Sequence, residues 1–468
     1  MAVQYDVRFI KSFGRYDQTK IGYGAIVGCL LISLSFLAVF RPYLSPRPIM
    51  NLRLSMGGDL SMLMIENKSG SPQLAGSAGA MRESKLICNI TDPRSDLCEM
   101  DGEIRIRGNS SNIFIVPSQI GILAGNESWK IKPYARKGDE IAMRNVREFS
   151  LRSMVGNEES PNCTLNHGIP AVVFSIGGYT GNLFHDFTDV LVPLFVTSHQ
   201  FHGEVQFLVT DSKSWWIKRY KPILKQLSRY EIIDFDRDRT IHCFEHTIVG
   251  LRSHKELSID PSRSPNGYSM CDFRGFLRTT YSLKRTDAIK FDHHQEKKPR
   301  LLIISRKRSR SFTNEHEIVE MAQSLGYEVV ATEANLGMNM SEFAQVVNSC
   351  DVMMGVHGAG LTNLVFLPTN AVLIQVVPLG GLEGFARLDF GVPAMDMKLR
   401  YMEYKIGEEE STLIEQFPRD HAIFRDPMSV KRKGWPALRS VYLDKQNVKL
   451  DVGRFKSTLL EALKLLHR

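Results

Sequence analysis

No two of the seven cysteines stand in C-x-x-C spacing, so no thiolate zinc site or dithiol redox motif is written in this chain. No internal repeat is visible, which argues against solenoids and propellers. A strong excess of one charge is also missing. Lys and Arg number 59 against 51 Asp and Glu, for a formal net charge of +8 over 468 residues. Nucleic-acid binding is therefore not forced, and an anionic ligand or an acidic polymer fits equally well. Charge vanishes altogether from Ile21 to Phe40, IGYGAIVGCLLISLSFLAVF. What remains, 43% hydrophobic and 24% charged over the whole chain, is the composition of a folded globular protein. Its length suggests two domains with appendages.

Twenty helical residues span about 30 Å, the hydrocarbon thickness of a bilayer. Arg8, Lys11, Arg15 and Lys20 precede the apolar run. The positive-inside rule then keeps residues 1–20 in the cytosol as a short tail and sends the rest across. A cleaved signal peptide competes with this reading. The run is long for one, and Arg41-Pro42-Tyr43 follows where small residues belong. The expectation is a single N-terminal transmembrane signal anchor over 21–40 and a lumenal body. Six N-x-[ST] sequons, at Asn67, Asn89, Asn109, Asn126, Asn162 and Asn339, all lie beyond the anchor, consistent with a secretory route. So do six cysteines, Cys88, Cys98, Cys163, Cys243, Cys271 and Cys350. An oxidising lumen allows up to three disulfides among them, and Cys88 and Cys98 are close enough in sequence to close a small loop. A lumenal address excludes nucleic acid as a partner.

Residues 41–84 read as a stem, with stretches such as SGSPQLAGSAGA and little periodicity. Residues 85–290 read as a first α/β lobe. Ala171–Gly178 and Val205–Asp211 are its apolar strands, each followed by a helical pattern: NLFHDFTDVLVPLFVTS after the first, SWWIKRYKPILKQLS after the second. The charged run Asp292–Arg300 is a linker. Over 300–468 strands and helices alternate, with LLIISR, YEVVAT, DVMMGVH and AVLIQVVP as strands. Ser341 is expected to cap the helix SEFAQVVNSC, and GLTNLVFL to be a helix. Fully apolar strands alternating with helices predict a parallel sheet covered on both faces. The last residues, FKSTLLEALKLL, form an amphipathic helix that packs back on the first lobe or meets a partner.

Ligands of a parallel sheet sit beyond the carboxyl ends of its strands. At such an end stand His357, Gly358, Ala359, Gly360, Leu361, Thr362 and Asn363. The glycines permit a sharp turn and close approach. The helix that follows offers unpaired N–H groups, and Thr362 and Asn363 add side-chain hydrogen bonds, which together suit a diphosphate. A tight turn with a helix-capping histidine uses the same residues. Arg306 and Arg310, in ISRKRSR, are placed to clamp phosphates, whereas Lys307 and Arg308 read as solvated loop. Glu333 ends the next strand, where it either binds a ribose hydroxyl or caps a helix. In the first lobe, GNLFHDFTD sets His185, Asp186 and Asp189 near a helix start. Any of them suits the base that removes a proton from an acceptor hydroxyl, and a dipole-stabilised helix start is the alternative. Asp234-Phe235-Asp236 is a D-x-D pattern, frequent by chance, and no metal is assigned to it.

With VHGAGLTNLVFLP, GNLFHDFTDVLVP, SWWIKRYKPIL and ISRKRSRSFTNEHEIV on the page, the chain resembles the plant branch of glycosyltransferase family 61 over most of residues 85–460. The resemblance implies a Golgi type II membrane enzyme with an inverting mechanism and a two-lobed GT-B-like α/β fold. It implies a UDP-sugar donor, no metal, and a xylan or xylo-oligosaccharide acceptor, decorated with xylosyl or arabinofuranosyl groups. Animal relatives transfer N-acetylglucosamine to proteins. On these positions it puts His185 and Asp186 near the acceptor, and Arg306, Glu333 and His357 to Asn363 near the nucleotide. The short stem and overall pattern favour UDP-xylose, hence a β-1,2-xylosyltransferase, over UDP-arabinofuranose and α-1,3 transfer. A non-catalytic Golgi scaffold of a xylan-synthesis complex, binding sugar nucleotide or polysaccharide, is the reading from another class.

Overall fold

The computed structural model describes residues 84–116, 128–154, 161–290, 297–334 and 337–467. The expected tail, the anchor and all but the last residue of the stem lie outside these, as do the sequons at Asn67 and Asn126. No helix among the described residues is long and apolar enough to cross a membrane. The asparagines of the other four sequons are all exposed.

The first half of the described chain builds a ten-stranded mixed sheet. Ala171–Ser175, Gln206–Thr210 and Ile233–Asp234 form its parallel edge. The sheet continues past them into an antiparallel pair, Leu97–Arg107 with Ile241–Gly250, so the parallel α/β pattern describes only one side of this half. Two disulfides brace it. Cys88 and Cys98 face each other across a hairpin, and Cys163 is joined to Cys243. Cys271 and Cys350 are free thiols.

The second half is a five-stranded sheet, parallel throughout: Arg300–Ser305, Glu328–Glu333, Val352–Val356, Val372–Val377 and Arg400–Lys405. In space the order is second, first, third, fourth, fifth. The winding therefore reverses between Arg300–Ser305 and Val352–Val356. At such a switch point the connections leave in opposite directions and open a crevice beyond the carboxyl ends of the two strands.

Alternation along the strands assigns side chains to separate cores. Leu302, Ile304 and Met353 turn toward one apolar cluster; Leu301, Ile303, Val352 and Met354 turn to another on the opposite face. The first cluster also holds Val172, Phe174, Phe207 and Leu194 of the first half. The apolar core is thus continuous from one sheet to the other, and residues 84–467 fall in one compact unit. Arg274, fully buried, adds a polar tie by donating to the carbonyls of Leu367 and Met397.

Local chemistry alters four of the expected helices. Asn182–Ser198 is not one regular helix. It contains a π-helical turn, Asp186–Leu191, in which Val192 N–H donates to Phe187 C=O. Pro193 explains it: its ring clashes with the carbonyl four residues back and it has no N–H to donate. The same device recurs at Arg387–Gly391 before Val392-Pro393. GLTNLVFL is a 3-10 helix, Ala359–Phe366. Helix Met340–Asn348 is capped by Asn339, whose Oδ1 accepts from Ser341 N–H at 3.0 Å, not by the Ser341 side chain. The C-terminal helix Val452–His467 buries Phe455, Leu459 and Leu463 against the second sheet, beside helix Glu315–Ser324, instead of returning to the first half.

Candidate functional site

The two glycines of HGAG answer to two separate contacts. Gly358 has φ 152°, and a Cβ there would lie 2.7 Å from Arg310 Nη1 and 2.8 Å from Arg306 Nη1. A Cβ on Gly360 would meet Ile304 Cγ2 at 2.9 Å. Only a bare backbone admits both guanidiniums on one side and the neighbouring strand on the other. Arg306 and Arg310 are brought to this point by the loop after Arg300–Ser305. Arg310 holds a left-handed backbone, φ 54°, secured by its N–H to Gln446 C=O and by Nη1 to His357 C=O. Burial and the facing Arg306 push the Arg310 guanidinium down to about 9, and burial lowers Arg306 as well. Among the described residues neither forms a salt bridge with a carboxylate. Two half-buried cations held side by side, with no carboxylate among the described residues in salt-bridge contact, suit an anion.

Two adjoining cavities, of about 220 and 530 Å³, meet at Asn182, Arg306 and Ala359. The smaller is lined by Ser305, Glu333, Met338, Met340, Phe343 and Asn363, a mixture that suits a nucleoside. Glu333 stands at the end of its strand with Lys307 Nζ 3.4 Å away. Asn363 donates to Gly360 C=O, and its Oδ1 has no partner among the described residues. Leu361 and Thr362 correct the expected cradle. Both are fully buried and line neither cavity, so the cradle consists of Gly358, Ala359, Gly360 and Asn363.

His357 lines the larger cavity but carries no positive charge for a diphosphate. Burial and the two arginines press its pKa down to about 3. Tyr401 donates to Gln375 Oε1 at 2.8 Å, which orients Gln375 Nε2 to donate to His357 Nδ1 at 2.7 Å. The imidazole proton is left on Nε2, facing Asp389 Oδ2 at 3.9 Å.

On the opposite wall the three candidate bases separate. His185 lines the larger cavity, under Tyr179, whose ring lies 4.4 Å from it. Its Nδ1 donates to Asp189 Oδ2 at 2.8 Å, so the lone pair is on Nε2. Burial lowers its pKa, against a rise from Asp189. Asp189 lines neither cavity. Arg136 binds both its oxygens at 2.7 Å and Tyr134 donates to Oδ2 at 2.9 Å. Its burial is outweighed by Arg136 and His185, which hold the carboxyl well below the usual range. Asp186 is turned into the core, accepting from Trp216 Nε1 and Tyr220 O–H at 2.8 Å and from Gly181 N–H at 3.1 Å. Burial raises it to about 6. The D-x-D residues line neither of these cavities: Phe235 is core, and Asp236 accepts from Arg147 and Thr210.

Sequence reading missed Tyr134, Arg136, Gln375 and Asp389. One signal was available. D-x-x-V-P occurs as Asp189 to Pro193 and again as Asp389 to Pro393, and in both places the aspartate lies in a π-turn before the proline.

A switch-point crevice brings paired arginines and a glycine turn together with an imidazole–carboxylate pair, an arrangement chemically suited to an anionic ligand beside a proton-accepting group. The glycosyltransferase 61 family profile matches residues 183–374, which include His185, Arg306, Arg310 and His357 to Asn363. An alpha-1,3-arabinosyltransferase of Oryza sativa subsp. japonica is 52% identical over 384 residues, 82% of this chain and 65% of that protein. A beta-1,2-xylosyltransferase of the same organism is 44% identical over 451 residues, 93% of this chain and 95% of its own. A xylan glycosyltransferase of Arabidopsis thaliana is 37% identical, covering 86% of this chain and 84% of the relative. The chain belongs to glycosyltransferase family 61. It spans about two thirds of the length of the arabinosyltransferase it matches.

Proposed function

We propose that this protein is an inverting glycosyltransferase that moves a pentosyl group from a UDP-sugar to xylan. The observation that carries the reading is the half-buried pair Arg306 and Arg310 over Gly358, lining the same cavity as His185. The nucleoside occupies the smaller cavity and the diphosphate meets the arginines. Asp189 keeps the proton on His185 Nδ1, so Nε2 takes the proton of the acceptor hydroxyl. The oxygen then attacks the anomeric carbon from the face opposite the diphosphate. The bond from that carbon to the diphosphate breaks with its electron pair, and the arginines and the N–H groups at Ala359 and Gly360 stabilise the charge. Asp186 supports the Gly181–Asn182 turn and takes no part in chemistry. The two sheets act as a GT-B-like pair of lobes, 85–290 on the acceptor side and 300–468 on the donor side.

The names of the relatives support a pentose and a xylan acceptor. The match over 451 residues favours xylosyl transfer and the match at 52% identity favours arabinosyl transfer. The assay is detergent-solubilised full-length protein with xylo-oligosaccharide and UDP-xylose, UDP-arabinofuranose or UDP-N-acetylglucosamine, with and without EDTA. A pentose adduct of inverted configuration supports the reading and names the sugar. UDP binding with no adduct from any donor refutes it in favour of a scaffold. The charge-free run 21–40 and the exposed sequons support a Golgi membrane position with a lumenal body, within reach of a xylan-synthesis complex. Protection of the C-terminus from protease in intact microsomes tests that topology.

A further inference from the structure

Asp389 is a carboxyl group to which no described residue donates a hydrogen bond. It is 4% exposed and lines the larger cavity. His357 Nε2 stands 3.9 Å from its Oδ2, too far for a hydrogen bond. Burying a carboxyl without a partner is unfavourable, and burial together with the Glu256 charge pushes this one well above the ordinary carboxylate range. Its position is nonetheless enforced. Pro393 imposes the π-turn that carries Asp389, and Phe390 packs edge-on against both Phe184 and His357. The Gln375–Tyr401 relay fixes the other member, presenting an N–H and not a lone pair toward the gap.

A gap of 3.9 Å between a fixed donor and a carboxyl is bridged by one oxygen at hydrogen-bond distance from each. A hydroxyl satisfies both at once, accepting from the imidazole and exchanging a hydrogen bond with the carboxyl. The walls of the gap are aromatic: Phe385 lies 5.1 Å and Phe390 5.7 Å from the His357 ring, and Trp435 stands behind Phe385. Apolar faces around one polar clamp are the chemistry that recognises a sugar ring. His357 directly precedes Gly358, where the two guanidiniums converge, so the ring reached is the one attached to the diphosphate.

We propose that His357 and Asp389 clamp one hydroxyl of the transferred pentose and so determine which donor sugar is accepted. The proposal rests on the UDP-sugar reading above. It is tested by binding, which needs no turnover, so failure of transfer and failure of the clamp are read separately. Calorimetry on the full-length protein would compare UDP, UDP-xylose and the three monodeoxy UDP-xyloses for wild type, Asp389→Ala and His357→Asn. UDP should bind wild type and variants within about twofold, which also shows that the variants fold. One monodeoxy donor should bind wild type about tenfold more weakly than UDP-xylose, the worth of one buried hydrogen bond. Either variant should erase that difference. Equal binding of all four sugars by wild type, or a difference that survives in both variants, overturns the clamp.

Discussion

His185 Nδ1 donates to Asp189 Oδ2 at 2.8 Å, and that same oxygen also receives the Tyr134 hydroxyl and Arg136 Nε. An oxygen with three donors cannot collect a proton from substrate. It fixes the imidazole tautomer and direction, leaving His185 as the group with a lone pair to use.

His185→Ala should therefore lower kcat by about 10²- to 10⁴-fold, the usual worth of a positioned base, with donor KM little changed. UDP release in the presence of xylo-oligosaccharide measures both. The acid limb of kcat/KM should follow protonation of His185, below the ordinary 6.5 because of burial. Asp189→Asn removes the influence that raises this pKa, so its limb should move to lower pH while the plateau falls. A limb that stays in place would refute the pairing.

Asp186→Asn should leave transfer within a few-fold of wild type. An asparagine keeps Oδ1 for Trp216 and Gly181 and donates Nδ2 to Tyr220. Asp186 is raised from 3.8 to about 6 in the fold, so the folded state favours its protonated form. That contribution is present below the unfolded pKa and is lost as pH rises through about 6. It amounts to roughly 3 kcal/mol at most. The asparagine variant should thus be equal or higher in Tm at pH 7 and lose any advantage below pH 4. Loss of activity with a native Tm would return Asp186 to the list of bases.

Arg310→Ala should weaken UDP binding by about 10- to 100-fold, as loss of a charge-assisted hydrogen bond predicts. Arg310→Lys should recover little of it, because a lysine cannot hold His357 C=O and a phosphate oxygen with one planar group. Calorimetric titration with UDP reads both; full rescue by lysine would leave only a point charge to the site.

Gly358→Ala places a Cβ within 3 Å of both guanidiniums and on a backbone that L-residues rarely adopt. The expected result is loss of UDP binding at least as large as for Arg310→Ala, with a cooperative thermal transition retained. Unchanged binding would show that the arginines are not held where the anion sits.

Legibility in the sequence followed the range of the forces involved. Four of the five parallel strands of the second half were readable, because each is a short, largely apolar run; Arg400–Lys405, RYMEYK, was not, because charges interrupt it and only its pairing with Val372–Val377 makes it a strand. Leu97–Arg107 and Ile241–Gly250 were not. They are about 140 residues apart and interrupted by charges, and only their pairing makes them central strands. His357 to Asn363 and the arginines were readable because strand end, glycine and cation sit together in sequence. Asp389 was not, because its one local signal, the D-x-x-V-P spacing it shares with Asp189, says nothing of the His357 ring that only folding brings beside it.

The sequence by itself determined the α/β class, the glycines and cations at the carboxyl ends of parallel strands, and the presence of three neighbouring proton acceptors, His185, Asp186 and Asp189, on one segment. Periodicity and glycine–cation spacing are local properties, and local properties survive without a fold. Which of the three acceptors meets the cleft was decided only by tertiary structure. Trp216 and Tyr220 draw Asp186 inward, Arg136 neutralises Asp189, and the π-turns forced by Pro193 and Pro393 rotate the helices that carry the rest. Partners that set the charge and direction of a buried group come from distant parts of the chain, and only folding brings them within the few ångströms over which they act.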